Sequence, residues 1–174
     1  MKKIFSIVLA LILLVSPVTG ARAAERNEEL LCETVNVVNP RTGEEESVIA
    51  EAVIHLPDGS RIIKTAIEKE SLTRARGDIT GTNQHLKIGS DGTLQWRVTL
   101  RAHFTFDGSS SKCIWATSAT EVFQGNWSES SNNTFPNGST AVANVTVVRK
   151  FLFVTVETHY VTLTIHCDRN GNLS

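Results

Sequence analysis

From Leu94 to Phe106 apolar and polar residues alternate. Leu94, Trp96, Val98, Leu100, Ala102, Phe104 and Phe106 share one parity; Gln95, Arg97, Thr99, Arg101, His103 and Thr105 fill the other. Successive strand side chains point to opposite faces, so this period of two predicts one long strand with a single buried face. The turn pairs Asp91-Gly92 and Asp107-Gly108 bound it. In the next segment, Lys112 to Phe123, Cys113, Trp115, Ala119 and Phe123 share a parity, which assigns Trp115 to the core together with Trp96. Near the end, Val161, Leu163, Ile165 and Cys167 alternate with Thr162, Thr164 and His166.

Further strands are expected over Val48 to Leu56 and Arg61 to Ile67, around the hairpin signature Pro57-Asp58-Gly59. Thr34 to Val38, Ala141 to Val148 and Phe151 to Val156 read the same way, the last two parted by Arg149-Lys150. Helix composition is confined to Glu25 to Leu31 and Ala66 to Arg76, and neither run is long enough to bundle. The Ser/Asn/Gly/Pro-rich stretch Gly125 to Thr140 reads as a long loop. The expected fold is all-β: an antiparallel β-sandwich of about seven to nine strands, with a short N-terminal helix as an option. Gly77 would be the boundary if the chain had two halves, but one domain over residues 24–174 is the simpler arrangement.

Residues 1–23 read as a secretory signal peptide. Lys2 and Lys3 precede the apolar run Ile4 to Val15, and Ala21-Arg22-Ala23 fits a cleavage site. Twelve helical residues reach about 18 Å, short of a bilayer core of about 30 Å, so a membrane span is not expected. Cleavage removes three of the 17 basic residues and leaves a net charge of about −4 against 18 acidic ones. Such a chain has no basic field for nucleic acid. The expected location is extracellular, either released or associated with the cell wall.

The mature chain keeps Cys32, Cys113 and Cys167. Cys113 and Cys167 fall on inward parities, so a disulfide between them is expected in an oxidising compartment. Its loop of about 54 residues would contribute roughly 4 kcal/mol in the chain-entropy model. Cys32 is left as a free thiol, an intermolecular bridge or a competitor for either partner.

From Asp91 onward the chain carries Asp-Gly-x-Leu-x-Trp, then His-Phe-Thr-Phe-Asp-Gly-Ser-Ser-Ser-Lys-Cys, and ends in Leu-Thr-Ile-His-Cys-Asp-x-Asn-Gly-Asn-Leu-Ser. This half of the chain resembles a group of small secreted, functionally uncharacterised β-rich proteins of Gram-positive, clostridia-like gut bacteria. The resemblance implies a bacterial source and an all-β fold, and supports pairing Cys113 with Cys167. It implies no catalytic residue.

Arg76-Gly77-Asp78 spells an adhesion tripeptide, but Gly-Asp also suits a turn before a strand. His55, His85, His103, His159 and His166 show no metal-ligand spacing; His103 and His166 fall on outward faces. Asp168 to Asn172 has oxygen residues at alternate positions like a calcium loop, yet its glycine is misplaced and a terminal turn is the better account. Five Asn-x-Ser/Thr triplets, at Asn126, Asn132, Asn137, Asn144 and Asn172, arise from composition. No nucleophile, phosphate-binding or dinucleotide motif is present, and no carboxylate pair stands out, so no catalytic residue, metal or cofactor is assigned. The expectation is a non-catalytic extracellular binding or surface-interaction module, with glycan, cell wall or a protein as ligand. Trp127 and Phe135, in the polar stretch, are the candidate stacking residues. A self-associating or membrane-active β-protein is the alternative, and a secreted hydrolase the third.

Overall fold

The computed structural model describes residues 28–70 and 77–174. Their regular structure is entirely β. The ten strands are β1 (Glu28–Val38), β2 (Glu45–His55), β3 (Arg61–Thr65), β4 (Glu68–Glu70), β5 (Asp78–Ile88), β6 (Leu94–Phe106), β7 (Ser111–Val122), β8 (Trp127–Asn137), β9 (Thr140–Phe151) and β10 (Val154–His166). The signal-peptide reading of residues 1–23 lies outside the described residues, as does Arg76 of the adhesion tripeptide.

All neighbouring strands pair antiparallel, in two sheets. The larger runs β1-β2-β3-β5-β6-β7, with β4 prolonging the edge of β5 beyond β3; the smaller runs β10-β9-β8. The small sheet packs over the β5-β6-β7 half of the large one and makes a β-sandwich.

The core between the sheets comes from the alternations read in the sequence. Trp96, Val98, Leu100, Ala102 and Phe104 of β6 meet Ala141, Ala143, Val145 and Val147 of β9 and Val161, Leu163 and Ile165 of β10, all buried. A second core belongs to the large sheet alone: Val35, Val37, Val48, Ala50, Val53, Ile63, Leu86, Ile88 and Leu94. It forms because the sheet curls. The β2–β3 register shifts between Ala50 and Ala52, and the inward parity of β2 changes from Val48 and Ala50 to Val53. Such a shift raises local twist. The end of β1 thereby reaches across to bridge Val38 to Thr93, beside β6. Arg97 of β6 meets Glu46 of β2 at 2.5 Å across the same curl.

Four expectations are corrected. The part of Glu25 to Leu31 that is described starts β1, because Glu28 to Leu30 pair with Ile54 to Ala52 and this pairing outweighs a helix of under two turns. Glu68–Glu70, within the second helical run, forms β4 on the edge of β5. The expected loop over Gly125 to Thr140 is mostly β8. As an edge strand it buries little beyond Trp127, so its polar composition costs nothing. Ser118 Oγ bonds Asn132 Oδ1 at 2.7 Å and Thr134 Oγ1 at 2.6 Å, closing the seam to β7 with side chains. Finally, Phe151 to Val156 is no separate strand: it spans the turn between β9 and β10.

The sheets are tied at one end by charge. Lys87 of β5, 1% exposed, is ion-paired with Glu157 of β10. Its Nζ lies 3.2 Å from His159 Nε2 and 5.1 Å from the ring centre of Trp127. His159 Nε2 sits 2.6 Å from the Glu157 carboxylate, and Arg149 Nε lies 3.2 Å from its other oxygen. Burial pushes the Glu157 carboxyl up, but the bonds and charges of Lys87 and His159 together outweigh it and hold the group below the usual glutamate range.

Removing one partner of a buried ion pair leaves the other uncompensated. Lys87→Met is expected to lower unfolding free energy by about 3 kcal/mol in urea titrations, and adding Glu157→Gln to recover part of the loss. A carboxyl held low in the folded state stabilises above the unfolded pKa of about 4.3 and loses that contribution as pH falls through its folded value. Melting curves between about pH 6 and pH 2 should therefore fall less steeply for Glu157→Gln than for the parent.

Candidate functional site

Trp127 and Phe135 do not form a site together. Trp127 is 4% exposed and packs edge-on against Trp96 at 6.3 Å, with the Lys87 and Arg149 cations 5.1 and 5.7 Å from its ring. It is a closed core residue, which corrects its reading as a ligand contact. Phe135 is 37% exposed and pairs with Val142, between the inward-facing Ala141 and Ala143. It therefore stands on the outer face of the small sheet, turned away from Trp127.

The structure exposes a different indole. Cross-strand pairing of β6 with β7 slips between His103 and Phe104: His103 faces Trp115, while Phe104 faces Cys113. The extra residue, Ile114, inverts the parity of β7, because two residues of the bulged strand oppose one of its partner. Cys113 stays in the core, but Trp115 is delivered to the outer face of the large sheet and is 38% exposed. The parity reading that assigned Trp115 to the core is corrected by this one residue. The sequence does carry the signal, since Cys113-Ile114-Trp115-Ala116 breaks the alternation with four consecutive apolar residues.

Trp115 sits in a built setting. The His103 imidazole stacks on it with centroids 5.8 Å apart and planes 17° from parallel. His103 Nδ1 lies 3.1 Å from Thr80 Oγ1 on β5, which fixes the ring. Arg101 approaches the indole at 5.9 Å and is ion-paired with Glu70 of β4. Thr82 Oγ1 reaches that carboxylate at 3.4 Å. Cross-strand neighbours therefore set an aromatic plane beside one guanidinium and the carboxylate paired with it. This combination suits a flat, hydroxyl-rich ligand: CH groups lie on the ring, and hydroxyls bond to the guanidinium and carboxylate at its edge.

A second feature is a cleft of about 360 Å³ between the outer edge of β10 and the β2–β3 part of the large sheet. Ile54, Ile62, Lys64, His85 and Tyr160 line it.

Cys113 and Cys167 are both free thiols in this structure, buried in the inter-sheet core, while Cys32 is exposed. The Cys113 amide donates to Gly138 O at 2.8 Å and the Cys167 amide to Ser139 O at 2.9 Å, so the two backbones bracket one turn. Their thiols point instead at local carbonyls, those of Trp115 and Asp168, both at 3.4 Å. Burial raises both thiol pKa values, and for Cys167 the Asp168 carboxylate adds to it, which works against a thiolate nucleophile.

The Asp168 segment is a turn held by its own side chain, which accepts the amides of Asn170 and Asn172 at 2.8 Å each. Among the described residues no three His, Cys, Asp or Glu side chains converge as a metal site.

Comparisons with protein-family models, with curated proteins and with solved structures give no match to this chain.

The two tryptophans are expected to separate cleanly on mutation. Trp127→Ala should cost about 3–5 kcal/mol in urea unfolding, as large-to-small core changes do, whereas Trp115→Ala should cost about 1 kcal/mol or less. Equal losses would show that Trp115 is a packing residue.

Proposed function

We propose that this protein is a non-catalytic extracellular binding module that holds a glycan, in the first instance cell-wall polysaccharide, on the Trp115 surface. The observation that carries this reading is the β7 bulge. It turns a large indole out of a core parity and sets it against His103 and against Arg101, itself paired with Glu70, which a purely structural strand has no need to do. Supporting the extracellular part are the signal-like pattern of residues 1–23 and the resemblance of the C-terminal half to small secreted bacterial proteins. Phe135 stands on the outer face of the small sheet, Trp115 on that of the large one.

In an oxidising compartment Cys113 and Cys167 would join through the turn their backbones bracket, leaving Cys32 unpaired. Non-reducing peptide maps of protein recovered from a secreting host should show this one bond. Cys32 joined to either partner would reject the assignment.

The binding reading is tested by retention on insoluble polysaccharides and purified bacterial cell walls. The parent should be retained and released by soluble oligosaccharide. Trp115→Ala should lower retention roughly tenfold at unchanged melting temperature, and Arg101→Ala by less. Equal retention of parent and Trp115→Ala would remove this surface as the site; no retention of the parent on any matrix would remove the ligand class.

A further inference from the structure

We propose that the turn between β9 and β10 is a membrane-docking tip, which seats this protein on a lipid bilayer bearing anionic headgroups. The proposal concerns the end of the small sheet and does not depend on the Trp115 surface.

The tip is built against the preferences of its own backbone. Leu152 and Phe153 are the two central residues of the hairpin, with φ of +46° and +70°. Two-residue hairpin turns with both central φ values positive select Asn-Gly, because a side chain there crowds the following carbonyl. Among the described residues every other left-handed position of this chain is glycine: 43, 59, 77, 92, 108, 138 and 171. Here alone the chain puts two bulky apolar residues where its own rule calls for glycine. Strain of this kind persists only where the surrounding structure holds it, and it clusters at functional sites.

The tip is also the most exposed apolar surface described. Phe151 is 67% exposed, Leu152 76%, Phe153 99% and Val154 64%, with Val156 at 52% just behind. None of these side chains offers a polar group to a partner. A protein pocket would have to match the shape of a convex, strained knob, whereas fluid acyl chains accept it without complementarity. Two residues per arm at about 3.3 Å each reach some 7 Å, the depth at which interfacial segments lie and far short of a span.

Charge fits the same occupant. Lys150, exposed, and Arg149 stand directly behind Phe151. The nearest carboxylate along the hairpin, Glu157, is engaged by Lys87, Arg149 and His159. With Glu157 engaged, Lys150 gives the collar of the apolar tip an exposed positive charge, which favours anionic headgroups.

The test uses the full chain and a Leu152→Asn, Phe153→Gly double variant. That variant supplies the turn residues the backbone prefers, so it should melt at a higher temperature while losing the tip. Co-sedimentation is measured with phosphatidylcholine vesicles, with and without about 30% phosphatidylglycerol. The parent should partition more strongly to the anionic vesicles, and the variant roughly tenfold more weakly. Because the apolar run near the N-terminus is common to both proteins, a second reading is taken at the tip itself. A polarity-sensitive dye on Phe153→Cys, in a Cys32→Ser background, should shift to the blue and brighten on vesicle addition. A dye that ignores vesicles overturns the proposal. So does a parent that self-associates without lipid and becomes monomeric in the variant, which would make the tip a protein interface.

Discussion

The sandwich depends at one end on a single buried ammonium. Lys87 projects from β5 into the space between the sheets, where an unpaired charge would be prohibitive. Everything around it answers that cost. Glu157 comes from the facing strand, His159 lies two residues further along it, and the indole of Trp127 turns a face to the cation. Arg149 completes the set by holding the second carboxylate oxygen. Residues of β5, β8, β9 and β10 are thus fixed relative to one another by one network rather than by apolar packing alone. Trp127 is held inside by this network, and with it the start of β8.

Of the register shifts in the large sheet, those in β2 and β7 change which residues are buried. The shift in β2 folds the β1–β2 hairpin over and creates a second core on the face that the small sheet does not cover. The shift in β7 acts on a single side chain and exposes Trp115. Each inserts one residue and inverts every parity beyond it, so the same local device builds a core in one place and opens a surface in another.

What could be read from the sequence follows from where side chains face one environment throughout. In β6 the inward positions Trp96 to Phe104 are all buried, and the alternation is legible without help. In β8 it is not: an edge strand whose outward, seam and rim positions all tolerate Ser and Asn has the composition of a loop. The turn at Leu152-Phe153 was equally hidden, because hairpins are recognised by glycine and asparagine and this one has neither. Of the surface now centred on Trp115, the outward placement of His103 and Arg101 was visible, while the bulge that brings the indole to them was only hinted at by four consecutive apolar residues.

Two of the least predictable places are also places where local rules are broken. At Ile114 a strand gives up its register, and at Leu152 and Phe153 a turn gives up its glycine. Neither departure strengthens the fold: one moves a large indole out of the core, the other leaves four consecutive apolar side chains in water. A chain that follows turn chemistry at its other left-handed positions has the means to avoid both. The charge network lies directly behind the second departure, with Arg149 and Glu157 on the two arms of the same hairpin. A strained apolar tip can persist there because its base is clamped across both sheets, so the energy lost at the turn is carried by an anchored hairpin instead of loosening the strands behind it.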